Sequence, residues 1–597
     1  MKITEYLKQH ILITDGAMGT YYNKCYPLEG GLVEQAVLTD PKRIVRIHEE
    51  YIEAGAQLIR TNSFAVNDLF FSDANQRNLI AKKSFRLAME AVEASGKDVY
   101  VAADFGTLFH PVMQDLEQLL SVVTSMVDAF YEVGARIFLF ETQADTYGLD
   151  EIFTYIKEKD SENEIILTFS FDKNGYTKGG LSFERILQQY GTDPKVDVYG
   201  VNCGMDPSHI KDLMEQTTFY SDKPWMVLPN AGYPYILRGQ TLYRESADYF
   251  VSTMEKVLDL GANVVGGCCG STPEYIRKMV ERFGKRRPMP KDIGDIPTSM
   301  TMEGRTLSSF WKKLGTGEKA FVVELDPPFN EDISKVMQGA KLLKEAKVDL
   351  LTLSDSPLGR TRMDPMLLGA KIQKESGIFV MPHVACRDRN LISLRGMLLG
   401  SYVNDIRHFL MVTGDPVPAA DRSHVTSVFD YNSIRFMNMA KMMNSDVFAK
   451  DTIVYGGALN YHGRNVEVIA KRMQLKMDQG CSYFLTQPVY SQEDIQRVAQ
   501  LKEMTGANII AGIMPLVSYK NAIFMTNEMP GIHIPDEIVS RYHPDMTREE
   551  AEDVAVSTSL DIARNIAGVC DGYYLMTPFN RVTLIVKIID AIRDELA

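Results

Sequence analysis

Along the first half of the chain, short apolar runs alternate with longer segments of helical spacing. The runs fall at residues 11–15, 57–61, 99–103, 137–141, 165–169, 198–203, 225–229 and 262–266. Between them, residues 41–54, 81–94 and 116–133 repeat apolar side chains at three- and four-residue intervals, the period of an amphipathic helix. Eight strand-like runs separated by helices predict parallel strands with helical crossovers, the count that closes a (β/α)8 barrel. A doubly wound open sheet is the alternative. Polar residues at the carboxyl end of nearly every run favour the barrel, because barrel active sites are built at that rim. Those residues are Asp15, Thr61-Asn62, Asp104, Glu141-Thr142, Asn202-Cys203, Asn230 and Cys268-Cys269.

The pattern breaks and then repeats. Residues 286–318 carry Pro288, Pro290 and Pro297 and little apolar sequence before Phe310-Trp311, which reads as a linker between domains at 1–285 and 319–597. Strand-like runs return at 320–324, 348–353, 378–383, 408–413, 452–455, 482–487, 508–515 and 572–577. The long gap before the last run has helical spacing at 520–529 and 548–566, an elaborated crossover. The predicted fold is α/β, two (β/α)8 barrels in tandem.

Length agrees, since 597 residues exceed one core and match two barrels of about 250 residues. The net charge of −14 argues against a nucleic-acid partner. No run approaches the ~18 apolar residues of a membrane span. Seven cysteines are an odd, sparse set, so a reducing, cytoplasmic setting is expected rather than a disulfide framework. Small-molecule substrates are the expected partners, and a homo-oligomer is compatible with the sequence.

Candidate chemistry centres on Gly266-Gly267-Cys268-Cys269-Gly270, with Cys203 at an earlier rim position. Three thiols from two strand ends suit a zinc ion that keeps its fourth position open. Adjacent cysteines face one metal only across a sharp turn, for which Gly266, Gly267 and Gly270 are expected to supply positive φ. The alternative is three buried small side chains. An open thiolate zinc lowers the pKa of a substrate thiol, which suits alkyl transfer to sulfur. Asp15 and Glu141 are placed to hold an α-amino group. Asp15 as a turn residue and Glu141 as a helix-dipole acid are the alternatives.

Thr14-Asp15-Gly16-Ala17-Met18-Gly19-Thr20, Glu141-Thr142, Val201-Asn202-Cys203-Gly204, Pro229-Asn230-Ala231-Gly232 and Gly266-Gly267-Cys268-Cys269-Gly270 occur in order. Together they resemble the homocysteine S-methyltransferase family over residues 1–285. The resemblance implies a zinc barrel with Cys203, Cys268 and Cys269 as ligands. It also implies Asn230 near the open zinc position, and Asp15 and Glu141 near the homocysteine amino group.

In the second half, Glu324 ends the first run, where apolar flanks raise the pKa of a carboxyl and fit it to donate a proton. A rim salt bridge is the alternative. Asp415 follows the fourth run, and Gln487 ends the sixth with an amide that both donates and accepts. No GxGxxG or GxxxxGK[ST] occurs, so a nucleotide cofactor would bind outside those motifs. Glu324-Leu325-Asp326-Pro327-Pro328, Leu353-Ser354-Asp355, Pro382-His383-Val384-Ala385-Cys386, Thr413-Gly414-Asp415-Pro416, Lys476-Met477-Asp478-Gln479-Gly480, Thr486-Gln487-Pro488 and Gly512-Ile513-Met514-Pro515 resemble the methylenetetrahydrofolate reductase family. That resemblance implies an FAD barrel reduced by NAD(P)H. It implies Glu324 as general acid, Asp415 near the flavin, and Gln487 on the pterin. Ser354, His383, Thr413 and Lys476 fall at flavin-contact positions.

The expected function is bifunctional: methyl transfer to homocysteine giving methionine, and reduction of 5,10-methylenetetrahydrofolate. No DxHxxG corrinoid motif occurs, so S-methylmethionine or S-adenosylmethionine is the expected donor. The alternatives are a methyl corrinoid carried by a separate protein, and a flavin-binding assembly or regulatory protein with structural zinc.

Overall fold

A computed structural model describes residues 1–26, 31–108, 115–232, 234–237, 240–243, 246–295, 308–314, 316–417, 425–528, 532 and 534–596. The chain divides into two compact units, Met1–Ser299 and Met300–Ala597.

The first unit contains β1 (Leu12–Ile13), β2 (Leu58–Arg60), β3 (Tyr100–Phe105), β4 (Ile137–Gln143), β5 (Glu164–Phe169), β6 (Val198–Asn202), β7 (Trp225–Leu228), β8 (Pro234–Leu237), β9 (Gln240–Tyr243) and β10 (Val264–Val265). Eight of these pair in parallel in the order β1-β10-β7-β6-β5-β4-β3-β2. A parallel bridge between Thr14 and Leu58 joins the two ends and closes the barrel. The antiparallel hairpin β8–β9 stands outside the barrel, in the crossover before β10. The apolar runs did not foretell it.

Side chains alternate along a strand, so one inward residue fixes the next. Leu12, Leu58, Ala102, Leu139, Ile166, Val198 and Leu228 fill the barrel interior. Two residues on, the same face carries Thr14, Arg60, Asp104, Glu141, Thr168 and Asn230. Asn202, two steps beyond Val198, joins them. The barrel is therefore apolar below and polar at its carboxyl rim. Side-chain caps at Asp73, Asp115 and Asp206 start the helices Ala74–Ser95, Leu116–Glu132 and Pro207–Glu215.

The second unit forms a closed barrel of β11 (Ala320–Leu325), β12 (Leu350–Leu353), β13 (Val380–Ala385), β14 (His408–Val412), β15 (Val454–Leu459), β16 (Phe484–Pro488), β17 (Ile509–Ile513) and β18 (Gly572–Met576). The long crossover before β18 holds the helices Tyr519–Glu528, Asp536–Val539 and Arg548–Ile566. Of the segment read as a linker, residues 296–307 and 315 lie outside the described residues. Its helix Ser309–Lys313 is not free chain: Phe310 is fully buried among the barrel's inward side chains, against Tyr483. Ile293, also in that segment, bridges to Phe219 of the first unit. Both flanks of the segment are thus built into the units beside them. Inward alternation from Val322 and Met381 puts Glu324 and His383 at the second rim.

No helix among the described residues is long and apolar enough to cross a membrane.

Candidate functional sites

The first rim gathers Asp15, Glu141, Cys203, Cys268 and Cys269 on one cavity of about 290 Å³. The three sulfurs lie within 4.8 Å of one another, and Cys203 Sγ is 4.0 Å from Cys269 Sγ. Thiolates sharing a tetrahedral zinc at ~2.3 Å stand roughly 3.8 Å apart. The trio therefore fits such an ion. Hydrogen bonding to Cys268 lowers the Cys203 thiol, but Cys269 and burial outweigh it and leave it at about 11. A dication reverses that balance.

Cys203 follows β6 in the left-handed region, φ 56°, which non-glycine residues enter only when their surroundings hold them there. Its N–H donates to Leu228 O at 3.0 Å. The glycines around Cys268 differ from expectation. Only Gly270 has positive φ, 83°. Gly266 and Gly267 provide room instead: a Cβ on the first would overlap Thr14 Oγ1, and on the second Ser271 Oγ. The turn is made by close approach to the loop after β1. Ser271 Oγ donates to Cys268 O at 2.6 Å, and the Gly270 N–H donates to Thr20 Oγ1 at 3.0 Å.

Asn230 is buried, with its Oδ1 unpartnered. It is bracketed by backbone bonds from Cys268 N–H to Pro229 O and from Ala231 N–H to Cys269 O.

Arg60 is the residue that sequence reasoning missed. It is 6% exposed and lies between the two carboxylates. Nε donates to Asp15 Oδ1 at 2.8 Å and Nη1 to Glu141 Oε2 at 2.9 Å. Nη2 donates to Gly16 O at 2.6 Å and Gly267 O at 3.0 Å. Burial works against its charge, but Asp15 and Glu141 outweigh burial and keep it a cation. Burial raises Asp15 and Glu141, and Arg60 opposes the rise. The signal was an arginine inside an apolar run, Leu58-Ile59-Arg60, on the face where Leu58 points inward.

At the second rim, burial and the neighbouring Asp326 push the Glu324 carboxyl up to about 7. The Tyr574 hydroxyl donates to Glu324 Oε2 and opposes that rise. Tyr574 is a second missed residue. His383 Nε2 lies 3.5 Å from Glu324 Oε2 without a hydrogen bond. Burial lowers His383 to about 4, so its imidazole is neutral. Ser354 Oγ donates to Asp326 Oδ1 at 2.7 Å.

Thr413 and Lys476 line a separate cavity with Arg472 and Asn432. Burial lowers Lys476, whose Nζ donates to Ala458 O at 3.3 Å. Asp415 is exposed in the loop after β14 and accepts the Leu358 N–H at 2.9 Å. Gln487 is exposed on β16. The structure thus groups Glu324, His383 and, through Asp326, Ser354; Thr413 and Lys476 form a second group.

Residues 12–283 match the family model for homocysteine S-methyltransferase, and residues 310–593 that for methylenetetrahydrofolate reductase. Among solved structures, the metallated homocysteine methyltransferase MmuM from Escherichia coli is similar at 22% identity, over 47% of this chain and 99% of that one, with a TM-score of 0.39. Its apo form aligns at 24% identity over 47% and 99%, with a TM-score of 0.37. An uncharacterized protein from Clostridium thermocellum that binds two copies of 5-methyl-5,6,7,8-tetrahydrofolic acid aligns at 16% identity over 48% and 97%, with a TM-score of 0.35. The chain is an enzyme that joins a homocysteine S-methyltransferase family domain to a methylenetetrahydrofolate reductase family domain.

Proposed function

We propose that the first barrel methylates homocysteine at Cys203, Cys268 and Cys269, with S-methylmethionine or S-adenosylmethionine as donor. The observation that supports this most is the convergence of three thiols on an open cavity, with no fourth His, Cys, Asp or Glu in the cluster among the described residues. Zinc held by these residues would supply the Lewis acidity that keeps a substrate thiol deprotonated. The chain's own part is to present three sulfurs on backbone locked by Ser271, Thr20 and Arg60. Pro229 and Ala231, on either side of Asn230, bond the same loop through Cys268 N–H and Cys269 O.

In the second barrel, Glu324 serves as the proton donor that opens the folate imidazolidine ring, since a carboxyl near pH 7 keeps a proton to give. FAD, when bound, would carry the hydride from NAD(P)H to the methylene carbon. Arg472, Lys476 and Thr413 offer a guanidinium, an amine and a hydroxyl to a diphosphate. His383 Nε2 and the buried, unpartnered Thr352 Oγ1 await polar partners at the rim. Asp415 and Gln487 are assigned to the flavin–folate pair and the pterin on the family motif. Domain limits at 1–285 and 319–597, with residues 286–318 joining them, belong to the same proposal.

The test is a donor screen on the purified protein with homocysteine, reading methionine. S-Methylmethionine or S-adenosylmethionine is expected to support turnover. Methionine formed only from a methyl corrinoid would overturn the sulfonium assignment. A cobalt-substituted site whose spectrum ignores homocysteine would make the metal structural.

A further inference from the structure

The helix Leu391–Val403, which follows β13, has two apolar faces. Leu391, Leu394, Leu398 and Ser401 are buried. On the opposite side Ile392 is 82% exposed, Val403 78% and Leu399 40%, with Gly396 exposed between them. Those positions step along the chain by four, three and four residues, the spacing of a seam that meets another helix. An outer helix ordinarily turns charge to water. The adjacent helix Pro365–Ser376 does so with Lys371, Lys374 and Glu375. Leu391–Val403 carries one charged residue, Arg395, half-buried to one side of the seam.

Gly396 and Gly400 add a second observation. Glycine weakens a helix interior, so its use there points to close approach by another group. A Cβ at either position would meet nothing within 4 Å. Among the described residues, nothing fills that gap.

The seam is its own complement. In an antiparallel pairing about a two-fold axis between positions 397 and 398, position 392 comes opposite 403, and 396 opposite 399. Ile392 of one copy then meets Val403 of the other, and Leu399 enters the space over Gly396. A two-fold interface uses the same patch on both copies and requires this reciprocity. The pairing also brings Asp405, whose side chain is 88% exposed beyond the helix end, towards Asn390 at the other copy's helix start, where the dipole favours an acid.

We propose that this face is a dimerisation surface, pairing the helix Leu391–Val403 antiparallel with the same helix of a second copy of this chain. An apolar patch of ~300–600 Å² on each copy would bury roughly 600–1,200 Å² in total, the small end of specific interfaces. The dimer is therefore expected to dissociate in the micromolar range.

Sedimentation velocity of the full-length protein from about 0.5 to about 100 μM tests this, and a shift from monomer to dimer is expected across that range. Leu399→Glu and Ile392→Asp, which set a charge in the seam, should each weaken association at least about tenfold with the melting temperature unchanged. Gly396→Leu separates pairing from folding. Its side chain meets open space within one copy, so the fold should hold, but in the pair it collides with Leu399 and should weaken association as strongly. A parent chain still monomeric at about 100 μM, or a dimer that the variants leave unchanged, overturns the proposal. A dimer lost in the charged variants and kept in Gly396→Leu overturns the antiparallel pairing.

Discussion

Glu324 carries opposing demands in one side chain. Burial and Asp326 push its proton affinity up, and the Tyr574 hydroxyl, bonded to Oε2, pulls it down. The balance at about 7 puts the titration of this carboxyl near neutrality, where the proposed proton donor needs it. The sign of the pH dependence follows. The donor is complete below that value and is lost as pH rises through it, so folate reduction should fall about tenfold per unit above pH 7. On the proposed flavin mechanism, reduction of the flavin by NAD(P)H would not need that proton and should show no matching limb. Glu324→Gln should therefore preserve flavin binding and reduction while slowing the folate half-reaction by about two orders of magnitude or more, read by anaerobic stopped-flow. Tyr574→Phe removes a bond that favours the carboxylate, so the limb should move to higher pH. An unmoved limb would separate Tyr574 from the acid.

The segment from β10 into Gly270 shows what an element adds to its residues. The cysteines supply the sulfurs, but Gly266 and Gly267 let their backbone touch the loop after β1. Gly266→Ala sets a Cβ 2.9 Å from Leu228 Cδ2 and 3.0 Å from Asp15 O, besides overlapping Thr14 Oγ1. Strain of this kind costs about 1–3 kcal/mol. The variant should melt lower and hold less zinc, measured by calorimetry and metal analysis; full zinc content at the parent melting temperature would refute the packing role. Much of this element was legible in the sequence, because glycines and cysteines are rare enough together to announce a site. The barrels were legible for a different reason: apolar runs separated by segments of helical spacing mark each strand without help from distant contacts. Arg60 was harder to read, since its role depends on Asp15 and Glu141 meeting it from other strands. Tyr574 was hidden altogether, because an aromatic in the run Tyr573-Tyr574-Leu575 is indistinguishable from core. The hairpin β8–β9 was missed because its two short strands pair only with each other and add nothing to the barrel's count.

At the scale of the whole molecule, the two sites share no described residue. Every side chain placed at the first, from Asp15 to Cys269, belongs to Met1–Ser299, and every one at the second, from Glu324 to Tyr574, to Met300–Ala597. Each barrel completes its own rim with its own strands, so damage to one site has no structural route through a shared catalytic group. Substitutions without shared partners act independently to within a few tenths of a kcal/mol, about twofold in rate. Cys203→Ala, Cys268→Ala and Cys269→Ala should each abolish methyl transfer and loosen zinc, because two sulfurs cannot hold the ion as three do. Flavin content and methylenetetrahydrofolate reduction in the same preparations should stay within about twofold of the parent. Glu324→Gln should give the mirror result, with methyl transfer from a sulfonium donor intact. Parallel loss of both activities in the cysteine variants would mean that the first barrel supports the second through more than the covalent chain. Measuring both activities on one preparation separates these outcomes, since misfolding would also release the flavin and loss of zinc alone would not.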